Sequence, residues 1–250
     1  MYKEIIPKKW AAQYVDAYWI QSNKLQHKIN RTILPDGCTD IILSFNNKDE
    51  KIVVGCMTKP NRVYIEPSEL MFGIRFKTGC AAPFLNISTK ELTDKQYSLS
   101  EIRNLNINFI TPRVIEDKIF LIPDLVEKYL KKIFLENKFD KTACFAANLI
   151  KQHRGFKSID DIANSMGISR RHLERKFMDF VGIPPKLYSR IIRFHYAHSM
   201  LLSQKNDSLI EMALDAGYYD QAHFCREYKE FSGITPTRKT DMSHFYNTSL

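Results

Sequence analysis

Arginine can donate two parallel hydrogen bonds to one planar pair of acceptors, and two arginines of this sequence stand in the same phrase. "HLERKF" at 172–177 and "HFCREY" at 223–228 both read His, an apolar residue, any residue, Arg, any residue, aromatic. A helix advances about 100° per residue, so positions two before and two after Leu173 point away from the side that Leu173 occupies. These are Arg171 and Arg175, flanked by Glu174 and Met178. The same arithmetic about Phe224 gives Ala222 and Arg226, flanked by Cys225 and Lys229. An outward Arg at matching places suits bidentate recognition of guanine O6 and N7 in a DNA major groove, worth about 1 to 3 kcal/mol of discrimination per good pair.

Other chemistry finds little footing. The histidines show no ligand spacing such as HExxH, and there is no Walker glycine loop. Five cysteines, at 38, 56, 80, 144 and 225, form no CxxC or CxxxC pair. They read as reduced, partly buried thiols rather than a metal site or a dense disulfide frame. The sequence therefore predicts no catalytic residue, no metal and no cofactor, and a protein that is not an enzyme.

The elements that must hold the arginines are legible as a repeat. "SIDDIANSMGISRRHLERKFMDFVGIPP" begins at Ser158, and "SLIEMALDAGYYDQAHFCREYKEFSGITP" begins at Ser208. Ser158, Ala163, Gly167, His172, Arg175, Phe177, Gly182 and Pro185 match Ser208, Ala213, Gly217, His223, Arg226, Tyr228, Gly233 and Pro236, with one extra residue in the turn of the second copy. Each copy has the parts of a helix-turn-helix unit. Ser158 suits an N-cap, Ile159, Ile162, Ala163 and Met166 give the first helix an apolar side, and Gly167 can turn with positive φ. Ser169 suits the cap of the second helix, with Leu173, Phe177 and Val181 as its buried stripe. His172 and His223 lie beside that stripe, where packing or backbone contact is expected. Between the units, "PKLYSRIIRFHYAHSMLLSQ" predicts a helix over about 185–202, on the order of 27 Å long, with apolar positions at Leu187, Ile191, Phe194, Ala197 and Leu201. Such a rod can hold two reading heads in successive major grooves.

Residues 141–240 resemble the DNA-binding domain of the AraC/XylS family of bacterial transcription regulators. The densest signature is "MALDAGYYDQAHFCREYKEFSGITPTRK", in which Ala222 stands where the family usually has Ser, and Tyr228 where it usually has Phe. The resemblance implies that the second helix of each unit enters the major groove, a role carried here to Arg171, Glu174, Arg175, Gln221, Ala222 and Arg226. Glu174 could accept from cytosine N4 or orient Arg171. Ser169, Arg170 and Lys229 are the candidates for phosphate contacts, which set register and carry no sequence information directly.

Ahead of about residue 110 the pattern changes to short apolar alternations between turns. "RTILPDGCTDIILSFNNKDEKIVVGCMTKPNRVYIEP" reads as strands separated by a Pro-Asp-Gly turn, an Asn-Asn turn and a turn at Lys59 to Asn61, and "ELMFGIRFKTGCAAPFL" adds another strand. The fold class expected is therefore two domains. An N-terminal α+β domain with a small antiparallel sheet or barrel, over 1–138, serves as sensor or dimerisation unit. A C-terminal all-α domain, over 139–250, holds two helix-turn-helix units joined by a helix. "LPDGCTDIIL" and "FGIRFKTGCAAPFL" also resemble the N-terminal region of an uncharacterised subgroup of these regulators. Trp10, Tyr14, Tyr18 and Trp19 form an aromatic cluster, expected at helical spacing and as core or lid. "IPDLVEKYLKKIFLENK" predicts a helix whose broad face, Leu125, Val126, Tyr129, Leu130 and Ile133, meets a sheet or a partner subunit.

The 250 residues, 44% hydrophobic and 26% charged, suffice for two cores, and the net charge of +9 suits a polyanionic partner. Between Arg170 and Arg193 stand seven Lys or Arg residues against Glu174 and Asp179. No apolar run approaches a signal-peptide core or a membrane span, so a cytoplasmic protein is expected. The partners expected are double-stranded DNA, a small-molecule effector in the N-terminal domain, a second copy of the chain and, for an activator, RNA polymerase; no membrane is among them. Two other readings compete. One is a DNA-directed alkyl-transfer repair enzyme, which needs a reactive Cys in a metal or Pro-Cys-His setting. The other is an architectural binder without effector or preferred sequence.

Overall fold

The computed structural model describes every residue except 9, 46–49, 86, 103–104, 106, 136–139, 204–207, 238–244 and 247–250. The N-terminal domain is built on strands β1 (Tyr2–Ile5), β2 (Val15–Ser22), β3 (Ile29–Ile33), β4 (Thr39–Ser44), β5 (Lys51–Val54), β6 (Asn61–Ile65), β7 (Leu70–Phe76) and β8 (Gln96–Ser98). Among the described residues these form a six-stranded antiparallel sheet in the order β1-β2-β7-β4-β5-β8, and β3 pairs antiparallel with β6 in a second sheet. The Pro-Asp-Gly turn between β3 and β4 lies where the sequence puts it, while the Asn-Asn turn lies outside the described residues.

Alternation decides which face each side chain of the large sheet takes. Ile41 and Leu43 of β4, Phe72, Ile74 and Phe76 of β7, and Tyr18 and Ile20 of β2 fill one core. Against it pack α1 (Thr89–Leu92), α2 (Pro112–Asp117) and α3 (Ile122–Leu135). In α3 the inward stripe is Ile122, Val126, Leu130 and Ile133, with Tyr129 at its edge, so this face meets the N-terminal core; Leu125 departs from the expectation and is 38% exposed. The aromatic cluster also divides differently from the helical reading. Val15–Ser22 is a strand, so Tyr18 and Trp19 point to opposite faces. Trp10 and Tyr14 pack with Phe84 and Phe134, and Tyr18 stacks on Phe72. Trp19 lies across Gly73, its partner in register, where a Cβ would overlap the indole.

The helical domain consists of α4 (Thr142–Gln152), α5 (Ile159–Ser165), α6 (Arg170–Phe180), α7 (Pro185–Ser203), α8 (Leu209–Asp215) and α9 (Gln221–Ser232), around a second core. A two-residue strand, β9 (Phe245–Tyr246), lies parallel to β3. The boundary expected near Asn137 to Lys141 falls largely outside the described residues. No helix among the described residues is long and apolar enough to cross a membrane.

The two domains share contacts that the sequence did not announce. Leu34 and Cys56 of the N-terminal part belong to the helical core. Thr89 Oγ1 donates to Asp179 O at 2.7 Å, and Thr93 Oγ1 donates to Gly182 O at 2.9 Å. Cys80 and Cys144 form a disulfide across the junction, which corrects the expectation of reduced thiols at those two positions. They are 64 residues apart, and only the packing of the turn after β7 against α4 brings them together. Cys38 and Cys56 are free and buried, and Cys225 is free and half-buried.

Candidate nucleic-acid interface

Each helix-turn-helix unit is set by local chemistry. Ser158 accepts from the Asp161 amide to cap α5, Gly167 turns with φ of 67°, and Ser169 accepts from the His172 amide to cap α6. Ser208 caps α8 by accepting from the Ile210 amide, and Gly217 turns with φ of 73°. Asp220 caps α9 by accepting from the His223 amide at 2.6 Å. Such a cap contributes about 1 kcal/mol and fixes where the helix starts, which in turn fixes the angle of every side chain behind it. Ala163 and Ala213 are buried at matching places on the first helix of each unit.

Behind the caps the predicted stripes go inward. Leu173, Phe177 and Val181 are buried in the first unit, and Phe224, Tyr228 and Phe231 in the second. Arg171, Arg175, Ala222, Arg226 and Lys229 lie on the opposite sides of these helices, and all five are exposed. Ser169 and Arg170 are also exposed, whereas Glu174 and Gln221 are half-buried.

The charges on these faces are already sorted. Arg170 bonds Glu174 at 2.8 Å and Asp160 at 3.0 Å, so Glu174 serves Arg170 and not Arg171. Both partners raise the Arg170 guanidinium above its usual range, Glu174 foremost. Arg175 reaches back to Nδ1 of His172 at 3.2 Å, which places His172 beside a candidate reading group rather than in the core. His223 is likewise half-exposed, its ring edge-on to Tyr218. Among the described residues no carboxylate is bonded to Arg171, Arg175 or Arg226.

A functional residue that sequence reasoning missed is Glu227, which is 3% exposed on the inner side of α9. Its carboxylate accepts from Arg190 Nε at 2.7 Å and Arg193 at 3.2 Å, both on α7, with His223 Nε2 at 3.9 Å. In the first copy the equivalent position is Lys176, which bonds Asp140 at 2.6 Å just ahead of α4. That bond, with help from Thr142, holds the Asp140 carboxyl down at about 2. Each second helix is thus tied to its scaffold by an ion pair at the same repeat position, with the sign reversed. The reversal of charge at a matched position was the available signal.

The rod between the units runs Pro185–Ser203, so its length is about 28 Å at 1.5 Å per residue. It is buried on most sides, with Tyr188, Ile191, Ile192, Phe194, His195, Ala197 and His198 inside.

Two capped helices of one design, each with an outward basic face and joined by a buried rod, define a double helix-turn-helix DNA-binding module. Residues 162–242 match the family described as a helix-turn-helix domain, and residues 3–98 match a domain of unknown function (DUF6597). The chain is 37% identical over 89 residues to the probable transcription factor PqrA of Proteus vulgaris, covering 36% of this chain and 71% of that protein. It is 36% identical over 77 residues to the HTH-type transcriptional regulator ArgR of Pseudomonas aeruginosa, covering 31% of this chain and 23% of that one. A crystal structure of a transcriptional regulator with an AraC-type DNA-binding domain from Chromobacterium violaceum is 32% identical. It covers 38% of this chain and 84% of that one, with a TM-score of 0.35. The chain belongs to the AraC/XylS family of helix-turn-helix transcription regulators. Its match spans less than two thirds of the length of the first of these relatives, 23% for the Pseudomonas regulator.

Proposed function

We propose that this chain is a sequence-specific DNA-binding transcription regulator, in which α6 and α9 enter successive major grooves of one duplex. Residues 139–250 are the DNA-binding domain, and residues 1–138 are the domain that takes a small effector or a second copy of the chain. Arg171 and Arg175 read bases in one groove and Arg226 in the next, with Glu174, Gln221 and Ala222 at the edges of the two readings. Ser169, Arg170 and Lys229 hold phosphates. RNA polymerase is a further partner if the bound site activates transcription.

The observation that carries this reading is the partition of charge on the two second helices. Two carboxylates of the second helices are held by other cations, Glu174 by Arg170 and Glu227 by Arg190 and Arg193, while Arg171, Arg175 and Arg226 stay exposed. The thiols speak against alkyl transfer, because burial pushes both Cys38 and Cys56 well above the ordinary thiol range, away from the thiolate such chemistry needs.

Selection of binding sites from random DNA, followed by footprinting, tests the proposal. The expected site spans about two turns of duplex, and its affinity falls steeply with salt. Arg175→Ala and Arg226→Ala each cost about 1 to 3 kcal/mol of preference, each in its own segment of the site. Protection confined to one groove, or a ratio of specific to non-specific affinity well below about 10³, refutes it in favour of an architectural binder.

A further inference from the structure

The large sheet has a second face that the N-terminal core does not use. Between that face and the paired strands β3 and β6 lies a cavity of about 440 Å³, a size suited to a small molecule. Trp19 of β2, Asp40 and Ile42 of β4 and Arg75 of β7 project into it from the sheet, and Asp36 projects from the turn ahead of β4. Ionised groups in such a place cost several kcal/mol each unless they are paired. Among the described residues lining this cavity, acids outnumber bases.

Arg75, whose side chain is 10% exposed, stands with Nε 3.5 Å from Asp40 and 3.9 Å from Asp36, and with a terminal nitrogen 3.5 Å from Glu4. Arg75 thus faces Asp36, Asp40 and Glu4, and Lys151 adds a second positive charge near Asp36; Glu4 itself does not line the cavity. Among the other described residues lining the cavity, Glu50 and Glu69 stand against Arg62, so the whole lining keeps a surplus of negative charge. Glu69 is occupied, accepting from Ser44 Oγ and the Glu66 amide at 2.7 Å each. Asp40 accepts from the Trp19 indole at 2.7 Å, and Asp36 accepts from the Cys38 amide at 2.9 Å. Burial pushes the Asp40 carboxyl up to about 6, Arg75 opposes this, and Asp36 adds to it, as befits two acids sharing one base. The aromatic members of the lining, Tyr2, Trp19 and Tyr64, favour the same sign of ligand, since ring faces attract cations.

We propose that this cavity binds a small organic cation, an amine or guanidine on an apolar body, whose charged nitrogen sits against the cavity-facing oxygens of Asp40 and Asp36. The apolar body lies against Ile42, Ile52, Val54 and Val63. The inference rests on reading the N-terminal domain as a sensor and supplies the chemistry of what is sensed. It also supplies the route out of the cavity. Leu34 and Asp36 line the cavity, yet Leu34 is part of the helical core, Pro35 O accepts from His195 of α7 at 2.6 Å, and Gly37 lies directly on the ring of Tyr188 of α7. The turn that grips the cation is the turn that seats the rod between the two reading helices.

Titration calorimetry on the full chain with phenethylamine and agmatine, beside the matched acid 3-phenylpropionate and the neutral sugar xylose, is the test. Saturable binding of an amine, weakened at least tenfold by Asp40→Asn and not by Lys3→Ala on β1, supports the proposal. Asp40→Asn keeps the shape of the side chain and its acceptor for Trp19, so thermal melting at the wild-type temperature separates lost binding from lost fold. Binding of the acid or the sugar in place of the amines overturns the proposal. So does the absence of amine heat up to millimolar concentration, or amine binding indifferent to Asp40→Asn. Footprinting of the same preparation keeps the two readings apart, since loss of site-specific DNA protection strikes the regulator reading and leaves the cation site standing. A bound amine that leaves DNA affinity unchanged overturns the route through residues 34–38.

Discussion

Glu227→Gln removes one charge from the inside of the second unit, and the structure lets the consequence be sized. The carboxylate is 3% exposed and holds Arg190 and Arg193, whose side chains are 30% and 19% exposed. Removing one partner of a buried ion pair costs about 3 to 5 kcal/mol, because the opposite charge is left in place. Arg190 keeps Glu230 at 2.5 Å and the ring of Phe231 beneath it, and Arg193 keeps the ring of Tyr218. The cost should therefore lie near the lower end, about 3 kcal/mol. For a chain of this size that lowers the melting temperature by roughly 6 to 12 °C, at 2 to 4 °C per kcal/mol. Circular dichroism at the helix band during urea unfolding measures it, since both tryptophans, Trp10 and Trp19, lie in the other domain. In footprints, protection of the α9 segment should fade before that of the α6 segment, whose tie is Lys176–Asp140. A loss under about 1 kcal/mol, or equal fading of both segments, refutes the claim that this ion pair fixes α9 on the rod.

Gly37→Ala tests the junction. Gly37 has φ of 76°, and a Cβ there comes within 2.5 Å of the Tyr188 ring. The left-handed backbone costs about 1 to 2 kcal/mol for a residue with a Cβ, and the forced contact adds about 1 to 3 kcal/mol. Urea titration should show the sum, and a neutral substitution would mean the turn does not bear on α7. A pH series tests the buried histidines of α7. Burial lowers both His195 and His198 to about 4, from an ordinary 6.5. Between those values the unfolded chain binds more protons than the folded one, so their contribution is present above pH 6.5 and is lost as pH falls towards 4. Each histidine costs up to about 1.4 kcal/mol per pH unit in that window. Urea midpoints at pH 7, 6 and 5 should fall accordingly, and His198→Phe should flatten the slope; a flat wild-type curve contradicts the assignment.

How much of this was legible in the sequence depends on how local the physics is. Caps, the turn glycines and the stripe of Leu173 and Phe177 act within one or two turns of helix, and all stand where the repeat predicts them. β2 was harder. As an interior strand it is buried on both faces, with Val15, Ala17, Tyr18, Trp19 and Ile20 all inside, so the alternation that marks a strand is erased and its aromatics pass for a helical cluster. Trp19 against Gly73 could be read only once β2 and β7 were known to pair. The Cys80–Cys144 disulfide and the Glu227 ion pairs join residues far apart in the chain, and no local pattern encodes such distances. For Glu174 the sequence left two roles open, accepting from cytosine N4 or orienting Arg171, and the structure bonds it to Arg170. Arg170 precedes it by four residues, the spacing at which helical charges meet, whereas Arg171 precedes it by three and turns outward.

The rod α7 carries the argument beyond the two reading heads. A helix that only spaced two units could be polar over half its surface, yet α7 buries Tyr188, Ile191, His195 and His198 around most of its circumference. Its partners explain this. Glu227 of α9 grips it through Arg190 and Arg193, Phe177 of α6 packs on Tyr188, and the turn at 35–37 of the N-terminal domain meets it at His195 and Tyr188. Three bodies therefore set the position of one helix. Protein interiors are close-packed, so a shift imposed by one of them cannot be absorbed as empty space and must appear at another. A change of about an ångström at Asp36 would thus bear on the separation or tilt of α6 and α9, and so on the proposed docking of both helices on one duplex. In this arrangement the proposed ligand would need no contact with DNA to change how well the second helix lands once the first is bound.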